Sequence, residues 1–332
     1  MVDRCFYNTT LSQTFSPCGN YLVAGNIYGQ IAVFDLQNAL EPNEPASEQI
    51  SKPRYVFQSA RDKSVSSLVS NSKFLIVGTV GEVTGYDWKS IISNKNPKVA
   101  WSIQIPTYRD SLEKSDVNSL AIVENSGDQT LVAGCGDKKV HLFSLRQGKH
   151  THSFDGHDNY VHSVYASGSQ IVSSGEDGKV CMWDWRQSSR TAQLEPHTNQ
   201  QLARPHLGKW IGDACFNDDW LVCGGGPYLS LWHLRSMDLM NRFANVEDSG
   251  IHVVRLCDDR ILAGGTSPYF YHLSFSGEIF TQLETSSLTV YSAIFEEKPF
   301  HVTCLAGSSP HIDLCTNFKY RDQILTFEDP KS

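Results

Sequence analysis

The chain has 332 residues, 40% of them apolar and only 19% charged, with 24 glycines and a formal net charge of −8. This balance excludes a disordered or coiled-coil chain and argues against a protein that grips nucleic acid over a broad basic face. The length suits two average domains or one repeat-built all-β unit.

Taken in chain order, one phrase recurs: an aliphatic run, a Gly/Ser turn of small residues, then a second apolar alternation ending near Asp, Trp or Leu. Its first copy is YLVAGNIYGQIAVFDL at 21–36. Behind it, the segment 37–53 carries Glu41, Glu44 and Glu48 with three prolines and reads as an acidic excursion. A leaving strand at 55–59 precedes the second copy, FLIVGTVGEVTGYDW at 74–88, and another at 99–105 follows it. Helical stretches at 36–40 and 88–92 are too short to stand alone in water. The connection 106–116 is unusually long and carries Tyr108 and Arg109.

TLVAGCGDKKVHLFSL at 130–145 is the third copy, and QIVSSGEDGKVCMWDW at 170–185 the fourth, entered by a strand at 160–166. A second long connection, 196–210, carries Arg204, His206, Lys209 and Trp210. WLVCGGGPYLSLWHL at 220–234 and RILAGGTSPYFYHL at 260–273 come next, and a degenerate seventh copy occupies 300–316. The phrases lie roughly 40 to 57 residues apart, the period of a four-stranded propeller blade. Each phrase supplies two strands, with room for an entering and a leaving strand outside it. The expectation is all-β: a seven-bladed WD40-type β-propeller of four-stranded antiparallel blades, one domain over 1–327 with a short tail at 328–332. One small sheet cannot cover both its faces, so each blade must pack on the next. Either 323–327 or the N-terminal 5–9 is placed to complete the seventh blade, the former being preferred.

Chemistry-bearing patterns are sparse. Nine cysteines are scattered without a C-x-x-C pair, and Cys135, Cys181, Cys223 and Cys304 sit in apolar runs, so neither disulfides nor structural zinc is expected. The glycine-rich stretches at 134–136 and 224–226 open no helix and precede no Lys-Ser/Thr, so they build no phosphate cradle. His150, His152, His157 and His162 cluster in sequence without a carboxylate or cysteine to complete a metal shell. No nucleophile elbow or paired acids are present. The sequence predicts no catalytic residues, no cofactor, no metal and no small-molecule substrate. Lys89, Lys95 and Lys98, and again Lys319, Tyr320 and Arg321, are short basic stretches read as solvated surface. No long apolar run and no basic-then-apolar leader is readable, so no membrane association is expected.

The fourth copy resembles the WD-repeat family: Gly156-His157 precedes its entering strand and Trp183-Asp184 closes its third. The resemblance implies that His157, Ser173, Asp177 and Trp183 form an internal hydrogen-bonded chain with a structural role. Further stretches resemble the WD-repeat subunits of the THO complex: SPCG at 16–19, AGN-x-YGQIAVF at 24–34, SGEDG at 174–178, RPH-x-GKWIG at 204–212 and DW-x-VCGGGP-x-L-x-LWHLRS at 219–236. That resemblance implies a nuclear, non-catalytic adaptor in messenger-RNA processing and export. Its partners would be other THO subunits with long coiled coils and, through them, an RNA helicase and the messenger RNA itself. Tyr108, Arg109, Arg204, His206, Lys209 and Trp210 have the composition of an interface hot spot and are the expected docking residues. The alternative is a substrate receptor of a cullin-4 type ubiquitin ligase, because Trp183-Asp184-Trp185-Arg186 resembles the W-D-x-R signature, with Arg186 as the adaptor contact.

Overall fold

The second strand of each blade is where residue choice and structure meet most directly. In the computed structural model, which describes residues 7–40, 50–93, 97–107, 114–125, 127–187, 189–317 and 320–327, YLVAGN (Tyr21–Asn26), FLIVGT (Phe74–Thr79) and QIVSSG (Gln170–Gly175) are buried along all but their first residue. A strand covered on both faces has no reason to alternate, so it reads as a continuous apolar run ending in small residues. Outer strands such as Lys149–Asp155 and Ser189–Leu194 are largely polar and half-exposed.

Seven antiparallel sheets form, and the protein is a seven-bladed β-propeller. The first strands of the blades are Thr10–Phe15, Ser67–Ser70, Val117–Asn125, Val161–Ser167, Ile211–Phe216, Ile251–Cys257 and Val290–Glu296. Two compact units make up the chain, one of Met1–Ser102 with Leu283–Ser332 and one of Ile103–Gln282. In the first, Leu22, Phe34, Val302, Leu314 and Leu325 share one core, and Val23, Val33, Tyr55, Leu75 and Trp88 share another. The cores of the second unit are likewise sandwiched between successive blades.

The seventh blade is completed by Tyr320–Thr326. It also gains a fifth strand: Ile50–Ser51 pairs in parallel with Ile324 and Leu325. The segment expected to be an excursion therefore returns at its end to the edge of a blade, while 41–49 lies outside the described residues. Its beginning, Leu36–Leu40, is helical because Leu36 and Ala39 are buried. Trp88–Ser93 is held the same way by Trp88 and Ile91, and the Tyr55 hydroxyl donates to the Ile91 carbonyl. Packing supplies what these short helices lack in length.

Six of the seven first strands carry a bulge at the same place, between Thr10 and Ser12, Val117 and Ser119, Val161 and Ser163, Ile211 and Asp213, Ile251 and Val253, and Val290 and Ser292. A bulge interrupts the ladder and turns backbone groups away from their own sheet. At three of them the residue just after the bulge reaches across and accepts a backbone N–H from the first strand of the next blade. Ser12 Oγ receives the Leu68 N–H at 2.8 Å, Ser119 Oγ the Val164 N–H at 3.1 Å, and Asp213 Oδ2 the Val254 N–H at 2.9 Å. A buried N–H left unpaired is costly, so each of these residues staples its blade to the next.

Candidate interaction site

Blade 4 brings together the four residues of its WD-like phrase. His157 Nδ1 lies 3.0 Å from Asp177 Oδ2 and His157 Nε2 lies 2.8 Å from Ser173 Oγ. Trp183 Nε1 donates to the same hydroxyl at 2.9 Å. A carboxylate only accepts, so the ring nitrogen facing Asp177 carries a proton. Asp177 also takes the backbone N–H groups of Asp158 and Lys179, which fixes the 176–178 turn. Burial pulls the His157 imidazole down, but its bond to Asp177 and its contact with Cys181 outweigh that and raise its pKa to about 9.

Other blades meet the same need with different chemistry. The position of Cys181 on the third strand, paired with Ser173, is His141 in blade 3, Ser230 in blade 5, Tyr271 in blade 6 and Asp313 in blade 7. His141 Nε2 donates to Asp137 at 2.8 Å and His141 Nδ1 lies 2.8 Å from Ser153 Oγ, so the histidine has moved from the entering loop onto the strand. Ser230 receives the Trp232 indole N–H at 2.9 Å. The Tyr271 hydroxyl receives the Glu247 N–H, and Asp313 receives the Ser286 N–H and hydroxyl. Cys135 completes a trio with Asp137 and His141 whose ligand-type atoms lie within 4.8 Å of one another. That trio is satisfied as a network: the acid and the imidazole bond each other, and burial pushes the Cys135 thiol well above its ordinary range.

Blade 5 has no acid in its 225–228 turn, and Arg204 takes that role from the connection before the blade. Its guanidinium donates to the carbonyls of Gly226, Gly225 and Pro227 at 2.7, 3.1 and 3.2 Å. It also pairs with Asp248 at 2.8 Å, the two side chains being 7% and 1% exposed, and lies over the Tyr228 ring. This corrects the expectation for Arg204. A long polar loop must satisfy its own buried carbonyls, and the arginine is consumed in doing so rather than presented to a partner.

Trp210, expected as a docking residue, is half-buried and partly engaged by the fold. Its indole N–H donates to the Leu207 carbonyl, and its ring stacks on His252 with centroids 4.9 Å apart. Gly212 and Gly250 make the room: a Cβ on either would fall 3.0 or 2.8 Å from the indole. Burial, reinforced by His162, lowers the His252 pKa to about 4 against the opposing pull of Asp248. His206 and Lys209 are exposed. Tyr108 and Arg109 lie outside the described residues, as do Lys95 and Lys319. Arg186 is half-exposed but grips its own Asp184 through two bonds of 3.0 and 2.8 Å, which occupies the guanidinium the ligase-adaptor reading requires.

Comparison with known proteins fits this geometry. The WD domain, G-beta repeat family matches residues 148–184, the stretch holding His157, Ser173, Asp177 and Trp183 of blade 4. The THO complex subunit 6 homolog of Danio rerio is 38% identical over 96% of this chain and 97% of its own length. The chain belongs to the THO complex subunit 6 family. THO complex subunit 6 of Homo sapiens is 37% identical over 96% of this chain and 93% of its own length, and that of Drosophila melanogaster 34% identical over 95% and 88%. The similarity to this family runs through blades that lack the general WD signature, where the networks centred on His141, Arg204 and Asp313 stand instead.

Sequence reasoning missed the inter-blade staples. Their residues, Ser12, Ser119 and Asp213, share one place in the first strand, two residues after Thr10, Val117 and Ile211, but no common residue type marks it. Also missed was that Asp213 accepts from Ser163 of blade 4 as well as from Val254 and Arg255 of blade 6.

Proposed function

We propose that this chain is a non-catalytic scaffold subunit of a THO-type complex in the nucleus, acting in messenger-RNA processing and export. The observation that carries the reading is the end-to-end likeness to THO complex subunit 6 proteins, 38% identity over 96% of the chain with 97% of the relative covered. A propeller whose buried polar groups are spent on its own blades suits a scaffold, because its chemistry is structural and its variable surface lies in loops. Partners are other THO subunits, including coiled-coil ones, held through propeller loops. Contact with an RNA helicase and messenger RNA is indirect, in keeping with a net charge of −8. The exposed His206 and Lys209 are the docking residues retained from the loop before blade 5.

The test is affinity purification of the tagged protein from nuclease-treated nuclear extract, with stoichiometric partners identified. A THO set recovered without RNA supports the scaffold reading. Loss of all partners on RNA digestion, or recovery of a cullin-4 adaptor in their place, overturns it. His206→Asp with Lys209→Asp should reduce recovery of the set without unfolding the chain, and unchanged recovery would remove this loop from the interface.

A further inference from the structure

A groove of about 590 Å³ runs between blades 4 and 5, at the strand ends opposite Arg204 and Trp210. Its floor is the exposed margin of an inter-blade core: Met182 and Phe216 are buried there, and Ala192, Leu234 and Met237 are half-covered. Its lip is formed by turns of both blades and includes Asp218 and Arg235. The volume suits a side chain and its flanking backbone.

Two features of the 234–237 turn set this groove apart. Blade 3 makes the same turn with the same hydrogen bond, Gly148 N–H to the Ser144 carbonyl there and Met237 N–H to the His233 carbonyl here. Blade 3 uses glycine at φ +63°, whereas Met237 holds φ +56°. An unbranched side chain in the left-handed region is strained where glycine would be free, and such strain gathers where the side chain is needed. Met237 lines the groove, and with Met182 it gives walls that can adapt to more than one apolar shape.

The second feature is charge. Trp232-His233-Leu234-Arg235 occupies the place of Trp183-Asp184-Trp185-Arg186 one blade earlier. In blade 4, Asp184 holds Arg186. In blade 5, histidine replaces that acid and turns to Ser236, its Nδ1 3.0 Å from the hydroxyl. Arg235 is exposed and, among the described residues, makes no ion pair or side-chain hydrogen bond. A guanidinium free to meet a carboxylate through two parallel bonds stands at the edge of a slot with an apolar floor and polar walls that include Gln170, Thr191 and Asn217.

We propose that this groove docks a short segment of a partner protein, which inserts one bulky apolar side chain between Met182 and Met237 and offers a neighbouring Asp or Glu to Arg235. Asp218 disfavours a second acid on the segment. The site is independent of the loop before blade 5 and of the identity of any THO partner.

Random peptides of about a dozen residues, displayed on phage and selected against the immobilised full chain, provide the probe, with affinities of the selected peptides measured by fluorescence anisotropy. The expected selection pairs an aromatic or long aliphatic residue with a nearby Asp or Glu. Arg235→Glu should weaken these peptides about tenfold or more, and a Lys in place of the acid should restore binding to that variant. Arg186→Glu should leave them unchanged, and Asp218→Asn unchanged or tighter. Met237→Gly should weaken them without lowering thermal stability, since glycine suits the turn; this separates lost contact from lost fold. Failure to select any peptide, selection of basic peptides, or peptides indifferent to both Arg235→Glu and Met237→Gly overturns the proposal.

Discussion

Replacing Arg204 with methionine tests the assignment of this residue as an internal clamp. Methionine keeps most of the apolar stem and removes every donor. Asp248 then retains a buried charge without its counterion, held only by the Gly250 N–H at 2.7 Å, while its other oxygen already lacks a partner. Three turn carbonyls also lose the guanidinium, although that of Pro227 keeps the Gly225 N–H at 3.4 Å. Removing one member of a buried ion pair costs about 3–5 kcal/mol, and each orphaned carbonyl adds up to roughly 1 kcal/mol, less than additively. The sum, about 5 kcal/mol, is a large part of the roughly 5–15 kcal/mol that holds a typical domain. Urea denaturation followed by tryptophan fluorescence should show a lower midpoint with an unchanged slope. Adding Asp248→Asn should recover part of the loss, because it removes the stranded charge. A surface contact behaves differently: substitution there moves stability by about 0.5 kcal/mol or less. A stable Arg204→Met chain that loses only its partners would refute the clamp and return Arg204 to the docking surface.

Three other outcomes follow from the geometry. The His157 imidazole is raised from 6.5 to about 9 in the folded chain, so its contribution, on the order of 3 kcal/mol, is fully present below pH 6.5 and is lost as pH rises toward 9; the stability gap between the native chain and His157→Asn should shrink over that window, and a gap constant with pH would contradict the charged pair. Ser119→Ala strands the Val164 N–H and should cost about 1–3 kcal/mol, with faster amide exchange at Val164 in particular; unchanged protection there would show the staple to be dispensable. Trp210→Ala uncovers His252, so its pKa should climb from about 4 toward the ordinary imidazole value in an NMR titration; a ring still titrating near 4 would place its burial elsewhere.

The parts of this fold legible in the sequence are those with one physical cause. Second strands such as Ile171-Val172 and Leu221-Val222 are covered on both faces and have to be apolar, so seven phrases marked seven blades. The first-strand bulges were not legible because a serine in a strand looks like any other, and its partner is an N–H on the next blade. Arg204 was misplaced for a related reason. A loop arginine is exposed by default, and nothing in the order of residues says that 225–227 will turn their carbonyls inward toward it. The parallel pairing of Ile50 with Ile324 joins positions far apart in sequence across a stretch that carries no strand signal.

The same physics explains why the general WD pattern is met at 148–184, where the anchor is the family's own. Each blade must anchor the turn between its second and third strands, but the anchor is free to come from the entering loop, as His157 does, from the third strand, as His141 does, or from a separate connection, as Arg204 does. Once the anchors differ, the two ends of the strands differ in what they leave available. Before blade 5, Arg204 and one face of Trp210 are already spent on the fold, while His206 and Lys209 stay exposed. At the opposite ends, the exchange of Asp184 for His233 one blade later frees Arg235 beside a slot that Met237 lines at a cost in backbone strain. A substitution that stabilises nothing visible within the chain is best accounted for by what it offers outside it, which is the ground for testing this groove alongside the loops that composition had marked.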